Sequence, residues 1–309
     1  MLILIVSMNE AFVEVNGVRT KIATWGRWIE ESPATIKELI ILIPGNPGVV
    51  GFYKQFANSL YEKTDIPVWC LSHAGHNLAE NSITKLPNFT EHRNLYGLKG
   101  QVKHKVDFLE KYLPHDAKVY LIGHSIGSYM ALEVLNYPGI NSKIIKTYLL
   151  FPTIERMAVT KNGKFLNTFV RPLVWLLLFC SWIFTVLPNF LANFLLYIYM
   201  IISNVPCQSQ MGNIKELLKP GVLRRVFFLA FEEMDQVLER NDKILHDNID
   251  KVKLYYGKTD GWAPEEFYGK IKQDLPNVDA ELTNICHTFV FNHSVDVAAT
   301  VCKWIKSTK

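Results

Sequence analysis

One serine, one aspartate and one histidine carry the chemistry this chain of 309 residues can be expected to do. Gly123-His124-Ser125-Ile126-Gly127 has the spacing G-x-S-x-G, in which the central serine sits on a strained turn and the two glycines allow close approach of backbone. A serine hydroxyl is a weak nucleophile at neutral pH and needs a base to take its proton. His287 is the candidate base. Asp260, in Gly257-Lys258-Thr259-Asp260-Gly261, is the candidate carboxylate that orients the imidazole and stabilises its charged form. Acyl transfer also needs backbone N–H groups for the oxyanion. Ile126, the residue after the nucleophile, is expected to supply one, and Asn46 or a neighbour in the Gly45-Asn46 region the second, because Pro47 has no N–H to give.

Other titratable residues fit less well. His73 and His76 stand three apart in a loop without a third ligand spaced nearby, so no metal is expected there; with Gly45 they read as pocket or loop support. His293 and Asp296 fall at the start of a closing helix, 294 to 306. Asp242 and Asp247 lie in a charged helical stretch that reads as a solvated face. His124 reads as structural, and no cofactor is expected.

These residues must be held by a scaffold, and the sequence sketches one. Phe12 to Val15 and Thr20 to Thr24 flank Asn16-Gly17, a strong hairpin signal. Leu39 to Ile43 is a continuous aliphatic run ended by Pro44-Gly45, as expected of a strand buried on both faces. Runs of the same kind occur at 67–72, 119–122, 145–151 and 252–256, with a last candidate at 280–285. Helix-length stretches lie between them, including 52–63, 96–112 and 128–135. The alternation predicts an α/β fold with a mostly parallel central sheet flanked by helices. Ligands bind at the carboxyl ends of strands in such sheets. Ser125, Asp260 and His287 each fall just beyond a strand, in the chain order of α/β-hydrolases.

Composition narrows the class. A net charge of +4 with no long Lys/Arg block does not suggest nucleic-acid binding. The five scattered cysteines contain no C-x-x-C, so neither a disulfide framework nor a zinc site is expected. Met1 to Ser7 is apolar but too short for a secretory leader, and the sequons at Asn88 and Asn292 carry no meaning in a cytosolic chain.

One stretch departs from the pattern. From Pro172 to Ile214 there is no Asp, Glu, Lys or Arg, and Pro188-Asn189 divides the run into two apolar halves. Each half is shorter than the roughly 20 residues that span a bilayer. The expectation is a single domain over 1–309, with a helical cap insertion over 158–240 containing an apolar hairpin over 172–204. This hairpin dips into one leaflet, with Trp175, Trp182 and Tyr197 at the interface and Pro188 at the turn. A tilted spanning helix or a cap packed on the enzyme are the alternatives.

Further stretches give the chain a sharper likeness. Ile43-Pro44-Gly45-Asn46-Pro47-Gly48 with Phe52-Tyr53, Ser72-His73-Ala74-Gly75-His76, the elbow with Ser128-Tyr129, Leu149 to Met157, Tyr255-Tyr256-Gly257 with Thr259 to Trp262, and His287-Thr288-Phe289 together resemble the lipid droplet-associated hydrolase family of serine α/β-hydrolases. The resemblance implies Ser125 as nucleophile, Asp260 as acid and His287 as base. It also implies a cytosol-facing enzyme of the lipid droplet surface and endoplasmic reticulum membrane, with esterase activity toward neutral lipids such as cholesteryl esters. Thr288 stands where the family usually has alanine. Two rival readings remain: a droplet-binding scaffold with little turnover, and a soluble esterase or thioesterase with an apolar acyl pocket in its cap.

Overall fold

Asn16-Gly17 turns the chain back on itself. Both residues have positive φ, 50° and 69°, as a two-residue hairpin requires, and β1 (Met8–Val15) pairs antiparallel with β2 (Val18–Trp25). The computed structural model describes residues 8–31, 37–78 and 86–308, so the expectation for Met1 to Ser7 lies outside the described residues. The later aliphatic runs become β3 (Glu38–Ile43), β4 (Val68–Leu71), β5 (Lys118–His124), β6 (Ile144–Leu150), β7 (Val252–Gly257) and β8 (Asp279–Thr283). All eight join one sheet in the order β1-β2-β4-β3-β5-β6-β7-β8. β2 meets β4 antiparallel, and every pairing from β4 to β8 is parallel.

The longer helices are α1 (Lys54–Thr64), α2 (Leu98–Tyr112), α3 (Ile126–Val134), α4 (Val174–Val186), α5 (Asn189–Ile202), α6 (Cys207–Leu217), α7 (Pro220–Gln236), α8 (Glu265–Asp274) and α9 (Ser294–Thr308). Successive side chains of a strand point to opposite faces, which splits each aliphatic run between two cores. Leu39, Ile41 and Leu121 join Met130 of α3 and Phe267 of α8 on one side. Ile40, Leu42 and Ile122 join Phe56 of α1 and Val297 of α9 on the other. Coverage of both faces explains why these strands read as unbroken apolar runs rather than as alternating ones.

Four of the helices, α4 to α7, lie between β6 and β7. α4 rests on α7 and α5 on α6, so each apolar helix has a partner of its own within the insert. Ser181 of α4 donates to the Leu218 carbonyl at 2.5 Å. Ala192, Leu196 and Met200 bury the inner face of α5, while most of the outer faces of α4 and α5 stay exposed.

Candidate active site

Ser125 sits between β5 and α3 with φ 55° and ψ −125°. A non-glycine residue in such a region costs ~1–3 kcal/mol and persists only where its surroundings hold it. Here its N–H donates to the Leu150 carbonyl at 2.9 Å and its own carbonyl accepts from Ser128 at 2.8 Å. Glycine is required on both sides: a Cβ on Gly123 would stand 2.4 Å from the Gly127 carbonyl oxygen, and one on Gly127 2.3 Å from that of Ile43.

β7 and β8 deliver the other two residues to the same rim. His287, in the loop after β8, has Nε2 2.9 Å from Ser125 Oγ. Its Nδ1 lies 2.7 Å from Asp260 Oδ2. The other carboxylate oxygen, Oδ1, accepts from the backbone N–H groups of Trp262 at 2.7 Å and Ala263 at 3.1 Å, which fixes the plane of the carboxylate. The Asp260 side chain is fully buried, and that of His287 is 13 % exposed. The row runs Ser125, His287, Asp260 without a gap.

The loop after β3 lies against the serine, for a Cβ on Gly45 would stand 2.9 Å from Ser125 Cβ. Gly45 N–H is already taken, donating to Tyr53 Oη at 2.7 Å. Pro47 has none. Asn46 N–H therefore remains, together with Ile126 N–H at the first position of α3, and neither has a partner among the described residues.

Behind this pair runs a second chain of hydrogen bonds. Because Tyr53 Oη accepts from Gly45, its own proton goes to His124 Nδ1 at 2.6 Å, and the remaining ring proton, on Nε2, goes to the His287 carbonyl at 3.0 Å. That tautomer follows from the partners. It agrees with a His124 pKa well below the usual histidine range, driven down by burial and then by His287. Tyr53 and His124 thus tie the loop of Asn46 to the backbone of His287. The sequence gives no role to Tyr53 and reads His124 only as structural; nothing local in either residue signals a partner so distant in the chain.

His73 and His76 stand outside the cavity wall. His76 Nδ1 accepts Gly48 N–H at 3.0 Å, and a Cβ on Gly48 would meet His73 Cγ at 2.3 Å, so both rings support the loop from behind. Burial and then nearby Lys105 push the His76 pKa down to about 3. No group of three or more metal-ligating side chains occurs among the described residues. Asp242 is ion-paired with Arg240 and Asp247 with Lys243 at 2.6 Å, and His293 Nδ1 lies 3.2 Å from Asp296 Oδ2; none of these reaches Ser125.

Ser125 and His287 open into a cavity of about 490 Å³. The insert supplies much of its wall, including Leu196, Ile214, Val226 and Phe227, and the loop after β8 adds Val290 and Phe291. Glu233 of α7 is also on the wall, although its sequence neighbourhood, Phe-Glu-Glu-Met-Asp, reads as charged surface. On the outside of the insert, Trp175, Trp182 and Tyr197 are 67 %, 53 % and 50 % exposed, and Pro188 is exposed at the turn between α4 and α5. Among the described residues no single helix is long and apolar enough to cross a membrane; 161–170 and α4 together form one pair bent by 79°.

Comparison with known proteins agrees over nearly the whole chain. The family model described as lipid-droplet associated hydrolase matches residues 36–290. A lipid droplet-associated hydrolase of Drosophila melanogaster is 44 % identical over 95 % of this chain and 97 % of its own length. One from Rattus norvegicus is 37 % identical over 98 % of this chain and 96 % of its own. Among solved structures, an epoxide hydrolase from Vigna radiata superposes with a TM-score of 0.62 at 14 % identity, covering 97 % of this chain and 98 % of that one, a likeness of α/β-hydrolase fold.

Proposed function

This chain belongs to the lipid-droplet associated hydrolase family, and we propose that it acts as a serine ester hydrolase on neutral lipids at the droplet surface. The observation that carries this reading is the unbroken row of Ser125, His287 and Asp260 opening on an apolar cavity. In the first half-reaction Ser125 Oγ attacks the ester carbonyl carbon while His287 Nε2 takes the hydroxyl proton. The carbonyl oxygen becomes an oxyanion facing the N–H groups of Asn46 and Ile126. His287 then returns the proton to the departing alcohol oxygen as the C–O bond breaks, leaving an acyl-serine. Water repeats the sequence on the acyl-enzyme, releasing a carboxylic acid and restoring the serine. Asp260 holds the imidazole in the tautomer that can accept at Nε2.

Neutral lipid esters, whether sterol esters or glycerides, are the substrate class, and a cholesterol esterase is one finer form of this proposal. The apolar walls from α5, α6 and α7 suit an acyl chain or a sterol. The exposed aromatic faces of α4 and α5 suit monotopic association with a droplet or with the cytosolic face of the endoplasmic reticulum membrane. The same exposed faces favour a second reading, a droplet-binding scaffold that keeps the fold with little turnover. A fluorophosphonate probe separates the two. Covalent labelling of the wild-type chain, lost in Ser125→Ala with the fold retained by circular dichroism, is the expected result. An unlabelled wild-type chain, or labelling that persists in the variant, defeats the proposal.

A further inference from the structure

Among the described residues Glu233 is the only carboxyl group on the cavity wall, and no lysine or arginine lines it. It stands on the inner side of α7 and is 5 % exposed. Its Oε1 accepts from Asn46 Nδ2 at 2.9 Å, and the same Nδ2 donates to the Val226 carbonyl at 3.1 Å. Both amide protons of Asn46 are thus given to the cap helix, and the residue whose backbone N–H faces the oxyanion is anchored to α7. Glu233 Oε2 has no hydrogen-bond partner among the described residues, it is not one of the buried polar atoms left unpaired there, and its residue lines the cavity. An accessible polar atom in an apolar wall is paired by water or by a ligand group that takes the place of that water.

Burial favours the uncharged form of this carboxyl group. Burial lifts its pKa to about 8, opposed only by the Asn46 bond. The titratable groups that share the wall are Tyr53 ahead of α1, His124 at the end of β5, Tyr199 on α5 and His287 after β8. Helices α2, α4 and α6 and the 157–159 turn also pack on α7, and none of them places a charge that acts on Glu233. A neutral carboxyl is both a hydrogen-bond donor and an acceptor.

We propose that Glu233 is a specificity residue that hydrogen-bonds a free hydroxyl on the substrate, so that the cavity prefers lipid esters bearing a hydroxyl close to the scissile bond, such as partial glycerides, over esters that lack one. This rests on the ester hydrolysis proposed at Ser125 and narrows its substrate class. A site built to pair a polar group rejects the analogue that lacks it, because its own group is then left unpaired. Above pH 8 the carboxyl ionises, and a negative charge joined to Asn46 opposes the oxyanion forming beside it.

The test compares 1-oleoylglycerol with ethyl oleate in the same detergent micelles, using the full chain and reading the ratio of kcat/KM. The wild type is expected to favour the glyceride by roughly 10-fold or more. Glu233→Leu should bring the ratio close to one. Glu233→Gln, which keeps a donor and an acceptor, should recover most of the preference. It should also lose the fall in kcat/KM that the wild type shows above pH 8. A wild type with no preference overturns the proposal, as does a preference unchanged in the leucine variant. If that variant does not fold, a glutamine variant with the wild-type alkaline limb overturns it. Fluorophosphonate labelling is measured in every sample. Loss of preference with Ser125 still labelled is a failure at Glu233, whereas absent labelling in the wild type is a failure of the serine mechanism itself.

Discussion

The central sheet and the insert between β6 and β7 are made of similar residue types used in opposite ways. In the sheet, Ile40, Leu42 and Leu121 are completely buried, each strand feeding two cores closed by helices of the same chain. In the insert, Phe190 and Ile202 are 76 % and 80 % exposed, and Trp175 and Trp182 project beside them. The sheet satisfies its own hydrophobic demand and so fixes a rigid rim on which Ser125, Asp260 and His287 meet. The insert satisfies only the inner half of its demand, where Leu196 packs and lines the cavity, and leaves the outer half exposed. Under the proposed function the contrast divides the labour: one region does the chemistry, and the other brings it to lipid and walls the cavity.

Breaking the rim should have the largest effect. Asp260→Asn leaves the shape of the row but removes the carboxylate that selects the His287 tautomer, and kcat on a soluble short-chain ester is expected to fall by about 10⁴. A loss below about 10-fold would mean that Asp260 does not orient the base. Breaking the outer face should leave the rim intact and move the protein instead. Replacing Trp175, Phe179, Trp182 and Phe190 together by serine removes on the order of 1 kcal/mol of transfer free energy per side chain. Droplet-bound protein in a flotation assay should then drop by about 10²–10³, with fluorophosphonate labelling of Ser125 preserved. Undiminished flotation would show that the exposed aromatics do not seek lipid. The smallest effect sharpens the comparison inside the core. Tyr53→Phe removes both bonds that link Gly45 to His124, and the loss of two such buried bonds, roughly 1–2 kcal/mol together, corresponds to about 10-fold in kcat. An unchanged kcat would reduce that chain of bonds to packing.

The contrast also explains what was legible in the sequence. β3 and β5 announce themselves because a strand covered on both faces has no polar alternation to hide behind. Asn16-Gly17 marks the hairpin because few residue pairs tolerate two positive φ values in succession. The meeting of Ser125, Asp260 and His287 is legible because each follows a strand, and topology carries strand ends to one rim. Glu233, Tyr53 and His124 were not assigned such roles. Glu233 sits beside Glu232 on a helix, a pattern shared with solvated surfaces, and only the tertiary placement of α7 turns it inward. The hydropathy of 172–204 was plain, but hydropathy does not say which side of a helix finds a partner. α4 leans on α7 and α5 on α6, an arrangement that a two-half apolar run does not specify.

Cleavage of lipid esters at Ser125 is the step on which the proposed function depends. Isolated lipid droplets incubated with the wild-type chain and with Ser125→Ala, followed by measurement of released fatty acid, test this directly. Fatty acid release is expected to depend on the wild-type serine, at about 10³-fold or more above the alanine variant. Equal release from the two samples, or none from either while both remain bound to the droplets, would contradict it.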